Sequence, residues 1–467
     1  MFFPELGVYW IIMQKSTFFT KDKTFYTTLF SMLAVISLQN LIAFSVNMAD
    51  NIMLGSYAQT ALSGAATVNQ IFFVIQQFAM ALGNALVALA SQYWGQERPD
   101  PIRTLTDIAL KTAALVGGIF VVLCLIMPER ILRIFTSDAA ILAEGKSYLA
   151  IILWTFILFL LSSVLMAALR AVGTVRISFY ISIASLIVNV GINYVLIFGK
   201  FGFPEMGIRG AAIGTLISRI MEFLILVFYI AFVDKKLRLF TKGWLRHDPV
   251  LARDFAKIAI PTVASSVLWS ISVPLQTAVL GHLSSDAIAA NSVATTFYQY
   301  LKVVVQAMCS TSAVMIGQAI GRGDLERVKS DGRTLCVIDV GLGVILGLLL
   351  FLLKNPLLSL YSGSFNAATM QLANQLIILM SFVMVGMAYE MPVCFGIIQG
   401  GGDAAWNMRV NLISTWCIVV PLTLLAAFVW KLPVVLVVLC IQSDQFFKGI
   451  PAFLHFRKYG WIKMLTR

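Results

Sequence analysis

Charged residues are scarce in this sequence. Asp, Glu, Lys and Arg make up only 12% of its 467 residues, whereas hydrophobic residues make up 59%. The mean hydropathy is accordingly high, at +0.88. A soluble chain of this length needs a far more polar surface to stay in solution. The composition therefore excludes a soluble globular domain and predicts a protein that crosses the membrane several times.

Motifs for catalysis are also missing. The three histidines, His247, His282 and His455, are far apart in the chain. The sequence contains no phosphate-binding Walker loop, no nucleophile elbow and no metal-ligand spacing. We therefore predict no enzyme activity and no bound cofactor. Without an ATP-binding loop, any transport by a chain of this kind would have to use an ion gradient, of protons or sodium, or the gradient of the substrate itself.

Cysteine is rare as well, and none of the six cysteines forms a CxxC pair. The sequence thus indicates neither a disulfide framework nor a zinc site. We expect the cysteines to be small buried residues within apolar segments. The start of the chain is apolar but has no basic n-region and no small-residue cleavage site. We interpret residues 1–26 as a cytoplasmic tail and not as a signal peptide.

Long apolar stretches make up most of the sequence. A membrane-spanning helix needs about 20 mostly apolar residues, and twelve such stretches are found. They cover residues 27–53, 63–93, 105–127, 141–167, 176–198, 209–233, 255–281, 288–318, 334–353, 370–397, 408–429 and 432–455. Because a lipid-exposed backbone must satisfy its hydrogen bonds within each segment, we predict an all-α fold with twelve transmembrane helices.

The net charge of +12 is distributed in a way that argues against nucleic-acid binding. If the twelve helices alternate in direction, the loops on the side of both termini carry most of the basic residues. The opposite side has only Arg130, Arg133, Lys146, Lys200, Arg209, Lys354 and Lys431. Cytoplasmic loops of membrane proteins carry an excess of Lys and Arg. We therefore predict that both termini lie in the cytoplasm.

The two halves of the chain resemble each other. When DNIMLG (50–55) is aligned with QTAVLG (276–281), the alignment continues without a gap and places SQYWG (91–95) on GQAIG (317–321). We predict two parallel six-helix repeats, an N-lobe at 27–233 and a C-lobe at 255–455. The remaining segments are an inter-lobe loop at 234–254 and a cytoplasmic C-terminal tail at 456–467.

One acidic residue has no counterpart in the other half. Asp50 lies in an apolar stretch near the end of the first helix, and the repeat pairs it with Gln276. Ionisable residues inside membrane spans are costly and usually functional. A carboxyl group in an apolar cavity can exchange a proton near neutral pH, or ligate sodium if other oxygens converge on it. The alternative is a hydrated acid at the outer end of the helix.

Further polar residues lie within the predicted helices. Asn189 and Asn193 are spaced i, i+4 in the fifth helix and share one face, where they can bond a neighbouring helix or assist a carboxylate. Arg219 and Glu222, spaced i, i+3, suit an internal ion pair. Glu390 lies inside the tenth helix with no obvious local partner, so it is a candidate for a second ion site.

A central substrate cavity is suggested by polar and aromatic residues at near-equivalent places of the two halves. Glutamines are not needed for spanning a bilayer, and inward-facing aromatic rings can stack on planar organic cations. We predict that this cavity is lined by Gln70, Phe72, Gln76, Gln276, Tyr298 and Gln299.

The sequence resembles the multidrug and toxic compound extrusion (MATE) family. The resemblance is carried by NMADNIMLG (47–55), ALASQYWGQ (88–96), the segment 188–219 across helices five and six, and GIIQGGGDA (396–404). The ending KYGWIKMLTR is similar to that of bacterial members. The resemblance implies a multi-pass antiporter of the bacterial inner membrane, which exports organic and often cationic compounds against an inward flow of protons or sodium.

The same resemblance implies roles for individual residues. Asp50 matches the acid proposed to bind the coupling ion, and Asn189 and Asn193 match positions that cooperate with it, so that Na⁺ could bind among the three. Asn193 stands where a branch of the family carries Asp, which removes a charge from this site. Thr215 matches a hydroxyl of the site, and Glu390 is close to an acid that another branch carries in helix ten.

These observations lead to one prediction of function. We predict a monomeric secondary antiporter that exports cationic or amphipathic drugs or metabolites by alternating access. A flippase for lipid-linked oligosaccharides, which shares the fold superfamily, is the alternative, but it should have a strongly basic cavity and only Lys302 is a main candidate for one. A membrane-embedded enzyme or receptor would need a clustered catalytic site or a large soluble domain.

Overall fold

A computed structural model describes residues 19–239, 248–359 and 366–467 of the chain. In these ranges all regular secondary structure is helical, and twelve helices are long and apolar enough to cross a membrane. The predicted all-α fold with twelve spans is thereby confirmed. The predicted N-terminal tail (1–26) and inter-lobe loop (234–254) lie partly outside the described residues.

The first lobe contains the spans α1 to α6, numbered in chain order. A short helix, Pro128–Leu132, precedes α4, and α4 itself consists of two segments separated by Leu153, where a single helix was predicted. The spans are α1 (Lys23–Tyr57), α2 (Gln59–Gly95), α3 (Pro99–Ile126), α4 (Ala139–Ile152 and Trp154–Ala171), α5 (Arg176–Phe198) and α6 (Ile208–Val233).

The second lobe contains α7 to α12. The spans are α7 (Pro249–Leu283), α8 (Ser285–Gly321), α9 (Leu325–Ser359), α10 (Ala367–Ile398), α11 (Ala404–Val429) and α12 (Val434–Arg457). Wide π-helical turns interrupt α10 at Pro392–Ile398 and α11 at Ile413–Val419 and Leu425–Val429. Proline has no N–H for the helical ladder, so the π turns beside Pro392 and Pro421 absorb the mismatch without breaking the spans.

The repeat is visible in the helix ends. The first helix of each lobe ends at Tyr57 or Leu283, two residues beyond Gly55 or Gly281, and the next helix begins after a single extended residue. In the second lobe that residue is Ser284, whose hydroxyl accepts a hydrogen bond from the N–H of Ala287 at 3.0 Å and caps α8. These helix ends lie at equivalent places in the gapless alignment of the two halves, as do Gly95 and Gly321 at the ends of α2 and α8.

The two lobes contact each other closely at the ends of α2 and α8. A Cβ atom added to Gly95 would overlap the carbonyl of Gln318, and one added to Gly321 would overlap the carbonyl of Gln92. Glycine at both positions lets the helix backbones touch. A buried core cluster continues from the first lobe into the second at this level, so the lobes are joined on the side where both termini lie.

Candidate functional site: the Asp50 carboxyl in the first lobe

Asp50 lies on α1 and faces α5. Its Oδ1 accepts a hydrogen bond of 2.6 Å from Nδ2 of Asn193. The aspartate is half-buried, whereas the asparagine is completely buried. The side chains of α1 and α5 thus meet inside the apolar lobe, where a hydrogen bond to a carboxylate is stronger than in water.

The hydrogen bonds continue from Asn193 along α5 to α6. Asn193 Nδ2 also lies 3.4 Å from Oδ1 of Asn189, one helical turn away, and Asn189 Nδ2 donates to Oγ1 of Thr215 at 3.2 Å. The Thr215 hydroxyl interacts with the Asp50 carboxyl as well. The structure therefore brings together the four side chains that the sequence analysis named for an ion site in the first lobe, namely Asp50, Asn189, Asn193 and Thr215.

One oxygen in this group is left free. Oδ1 of Asn193 is buried and accepts no hydrogen bond from the described residues. It packs against Gly214 of α6, where an added Cβ would overlap it. A buried oxygen without a donor is costly, and its lone pairs can bind a cation or a water. No group of three His, Cys, Asp or Glu side chains that could hold a metal ion is found in the described ranges.

The nearest basic residue is already paired. Arg219 forms an ion pair of 2.7 Å with Glu222, as the i, i+3 spacing predicted, and its guanidinium lies 5.3 Å from the centroid of the Phe159 ring. Asp50 itself makes no ion pair with any of the described residues. Asp50 is therefore a carboxyl held by the Asn193 amide and the Thr215 hydroxyl, and its charge is available to an incoming cation.

The structure separates the residues predicted to line a central cavity. Phe72 packs inside the first lobe against Phe156 and Phe159, with ring centroids 6.0 and 5.0 Å away. Tyr298 is buried in the second lobe, and its hydroxyl contacts Sδ of Met387 at 2.9 Å. Both rings therefore pack within a lobe. Neighbouring helical positions point about 100° apart, so the position of a ring in the sequence did not show whether it faces the lobe boundary.

The predicted glutamines and one further ring lie differently. Gln70 and Gln299 are exposed, and Gln76 and Gln276 are partly exposed. At the boundary between the lobes it is Phe73, next to Phe72, whose ring lies 6.4 Å from that of Trp269 in α7.

Glu390 has a partner that the sequence analysis missed. Its Oε1 lies 3.3 Å from Nζ of Lys448 in α12, which also lies 3.1 Å from Oδ2 of Asp444. Lys448 is 5% exposed and Glu390 is 2% exposed. Asp444 and Lys448 are spaced i, i+4 and could be paired from the sequence, whereas the contact with Glu390 joins two different helices. The two lobes therefore hold their inner acids differently, Asp50 with the amide of Asn193 and Glu390 with a lysine.

A family model named MatE matches residues 36–195 and 261–425 of the chain. The chain belongs to the MatE family. The two matched segments cover equivalent parts of the two lobes, in agreement with the repeat. MatE proteins are transporters, so the prediction of a transporter and not an enzyme is confirmed, as is the resemblance on which it was based.

Individual relatives are distant but match over nearly their whole length. A Thermotoga maritima protein named "Probable multidrug resistance protein NorM" is 24% identical, covering 92% of both chains. The multidrug resistance protein MdtK of Pectobacterium atrosepticum is 23% identical, covering 81% of this chain and 82% of MdtK. The twelve apolar spans and the bacterial relatives together indicate that this MatE protein is a multi-pass protein of the inner membrane.

Solved MATE structures share the fold. A mutant of the Vibrio cholerae MATE transporter VcmN superposes with a TM-score of 0.85 at 17% identity, covering 95% of this chain and 98% of VcmN. The eukaryotic MATE transporter AtDTX14 superposes with a TM-score of 0.83 at 18% identity, covering 95% of this chain and 97% of AtDTX14. At this identity the likeness concerns the fold alone.

Proposed function

We propose that this MatE protein is a secondary antiporter that exports small organic compounds, cationic and amphipathic drugs or metabolites among them, in exchange for an inward-moving cation. The observation that carries the proposal is the Asp50 carboxyl, which is half-buried in one of two related lobes and bonded by Asn193 without a basic partner. The names of relatives, which refer to multidrug resistance, support the substrate class. The protein acts as a monomer in the inner membrane.

The oxygen atoms around Asp50 favour a proton over sodium as the coupling ion. Oδ1 of Asn189 and Oγ1 of Thr215 already accept hydrogen bonds from neighbouring amides. The carboxylate and Oδ1 of Asn193 are the remaining acceptors of the group. A sodium ion needs several converging oxygens, whereas a proton needs only the carboxylate. The ion drives transport only if its affinity differs between the two states of the transporter.

Alternating access requires the lobes to separate on the side of the chain termini, where they are in contact in this structure. Gln92 at the end of α2 donates to the carbonyl of Lys463 at 3.0 Å and accepts from the N–H of Leu465 at 2.8 Å. Gln96 donates to the hydroxyl of Thr466. The C-terminal tail, which follows the second lobe in the chain, is therefore bound to the first lobe.

The N-terminal residues make the reciprocal contacts with α9 of the second lobe. Thr20 bonds Asp331 and Thr334, and Asp22 forms an ion pair of 2.6 Å with Arg327. The backbone N–H of Thr24, together with Arg327, holds the pKa of Asp22 below its ordinary value, so this carboxylate is charged at neutral pH. We call the contacts of residues 20–22 and 463–467 with the opposite lobe the terminal clamp.

The C-terminal part of the terminal clamp is anchored to the second lobe. Asp403 binds Nζ of Lys463 at 2.9 Å and Nε2 of His455 at 3.1 Å. Burial raises the pKa of Asp403, but the hydrogen bonds and charge of Lys463 and the bond from His455 outweigh it and keep the pKa below its ordinary value. Trp461 is fully buried beside them. The positive-inside rule puts both termini, and with them the clamp, on the cytoplasmic side. By holding the lobes together on that side, the clamp stabilises the outward-facing state.

Replacing Gln92 by Ala should favour the state that is open on the side of the clamp. The change removes two hydrogen bonds between the lobes that are made by the completely buried Gln92 side chain, and should cost the closed state about 1–3 kcal/mol. Spin labels at Asp100→Cys and Glu326→Cys, in a background without the native cysteines, should then show a larger population of long distances. Gln39→Ala is the matched control, because Gln39 contacts Met166 within one lobe. An unchanged distance distribution would contradict the role of the clamp.

Transport in proteoliposomes tests the proposed function directly. A cationic dye is loaded, and inward gradients of protons and of sodium are imposed separately, with empty liposomes as the control. We expect the proton gradient to drive dye movement and the sodium gradient alone to have little effect. If neither gradient accelerates dye movement, the antiporter proposal fails, and if sodium alone does so, the choice of the proton fails.

A further inference from the structure

Lys302 in the middle of α8 is a cation without a counter-ion in direct contact. Its Nζ lies 5.4 Å from the centroid of the Trp269 ring in α7, and the side chain is only partly exposed. No carboxylate in the described part of the chain forms an ion pair with it. Its environment differs in this respect from that of Lys448, which contacts two carboxylates.

The acids closest to Lys302 are occupied by another lysine. Glu390 and Asp444 act on Lys302 electrostatically, but both are in contact with Lys448, at 3.3 and 3.1 Å. Lys448 is hydrogen-bonded in addition to Asn411. The positive charge of Lys302 is therefore balanced only at long range, and its three N–H donors are not used by these acids.

Lys302 lies at the boundary between the lobes. The Trp269 ring on which it rests is 6.4 Å from the ring of Phe73 in α2, which belongs to the first lobe. Close by on α8, the ring of Tyr300 lies 4.7 Å from that of Phe44 in α1. Substrate sites of transporters built from two repeats lie at the repeat interface near the middle of the membrane, which is where these contacts place Lys302.

A charge at this depth is expensive to keep. Lysine inside a membrane span is rare and marks a pathway or a binding partner, and the cation–π contact with Trp269 offsets only part of the lost hydration. An apolar side chain of similar length would fill the same space at lower cost. The retained charge therefore indicates an anionic group that arrives with a ligand.

We propose that Lys302 and Trp269 form an anion subsite for the transported compound. The ammonium group binds a carboxylate or sulfonate of the substrate, and the indole ring stacks on a flat apolar part of the same molecule. The proposal rests on the transport function proposed above and adds organic anions and zwitterions to its substrates, namely compounds that carry an acidic group next to an aromatic or otherwise planar portion.

Binding of two dyes of similar shape and opposite charge tests the subsite. Fluorescein is the anionic probe and tetramethylrosamine the cationic one, and binding to the purified full-length protein is followed by fluorescence anisotropy without any ion gradient. We expect Lys302→Met to weaken fluorescein binding about tenfold or more, with rosamine binding unchanged or tighter, and Lys302→Arg to keep most of the fluorescein affinity. Lys354→Met is the matched control, because Lys354 lies over the Phe351 ring of its own helix.

Several outcomes would overturn the subsite. These are no binding of fluorescein to the unmodified protein, an equal loss for both dyes, or no loss for either. Removing a poorly compensated charge should not impair folding, and Lys302→Gln provides a second variant that keeps a polar end. Binding is measured without a gradient, so the two proposals can fail separately. If Lys302→Met weakens fluorescein binding alone but no gradient drives transport, only the antiporter proposal is contradicted. If a gradient drives transport but Lys302→Met affects both dyes equally or neither, only the subsite is contradicted.

Discussion

Asp50→Asn should abolish efflux that is driven by an ion gradient while leaving a folded protein in the membrane. The amide has nearly the same shape and can accept the hydrogen bond that Asn193 now donates at 2.6 Å, so the packing between α1 and α5 is kept. It cannot bind a proton or carry a negative charge. The transporter then has no differential affinity for the ion in its two states, and the gradient cannot shift the equilibrium between them.

The measurement is dye movement in proteoliposomes with and without an imposed gradient. For Asp50→Asn the rate with a gradient should fall to the rate without one, which is also the rate of passive exchange. Asp107→Asn is the matched control, since Asp107 is a buried aspartate of the first lobe that is paired with Lys111 at 2.6 Å in α3. Full gradient-driven efflux by Asp50→Asn would eliminate this carboxyl as the coupling site.

Dye binding at equilibrium separates coupling from recognition in the same variant. Asp50 contacts α5 and α6 of the first lobe, whereas the contacts at the lobe boundary involve Phe73, Trp269 and Tyr300. We therefore expect Asp50→Asn to bind substrate with little change in affinity. A large loss of binding would mean that Asp50 belongs to the substrate site and not to a separate ion site.

The fold could be predicted from the sequence because its main determinants are local or periodic. Apolar stretches of sufficient length define the spans, and the gapless alignment of the two halves defines the lobes. The cluster at Asp50 was also within reach, since Asn189 and Asn193 share a helical face and the family resemblance supplied the link to α1 and α6. The spacing alone could not supply that link, because it says nothing about which helix packs against that face.

The parts that the sequence did not show are contacts between distant segments. Glu390 and Lys448 lie on different helices, far apart in the chain. The partners in the terminal clamp are 314 and 373 residues apart in the bonds of Thr20 with Thr334 and of Leu465 with Gln92. Phe72 was predicted to line the cavity, whereas it is the adjacent Phe73 that lies at the lobe boundary, because a difference of one position turns the ring to another face of the helix. Such features require the packing of the helices to be known.

Lys448→Met should destabilise the second lobe strongly. The lysine neutralises two carboxylates, Glu390 and Asp444, and none of the three residues is more than 7% exposed. Breaking a buried ion pair by removing one partner leaves uncompensated charge and typically costs about 3–5 kcal/mol. Here the loss also frees the side-chain Oδ1 of Asn411, which accepts a hydrogen bond from Lys448 at 3.3 Å. We expect a lower melting temperature in detergent and a reduced yield of monodisperse protein.

Neutralising the acids should reverse that loss. In the triple variant Lys448→Met, Glu390→Gln, Asp444→Asn no charge is left in this cluster, and replacing a buried ion network by neutral groups is often tolerated. Lys257→Met is the control for losing a lysine as such, because Lys257 is exposed and its partner Asp254 is also bound by Arg467. Its effect should stay within about 0.5 kcal/mol.

The same variants decide what Glu390 contributes. If the triple variant is stable and retains gradient-driven efflux, the Glu390–Lys448–Asp444 cluster holds the second lobe together, and coupling belongs to Asp50 alone. If the triple variant is stable but has lost its response to the gradient, Glu390 takes part in coupling as a second ion site. If the Lys448→Met protein is as stable as the unmodified one, the ion-pair argument is wrong. That argument holds that two carboxylates without their lysine cannot both remain charged in so apolar a place, so the loss of Lys448 has to lower stability.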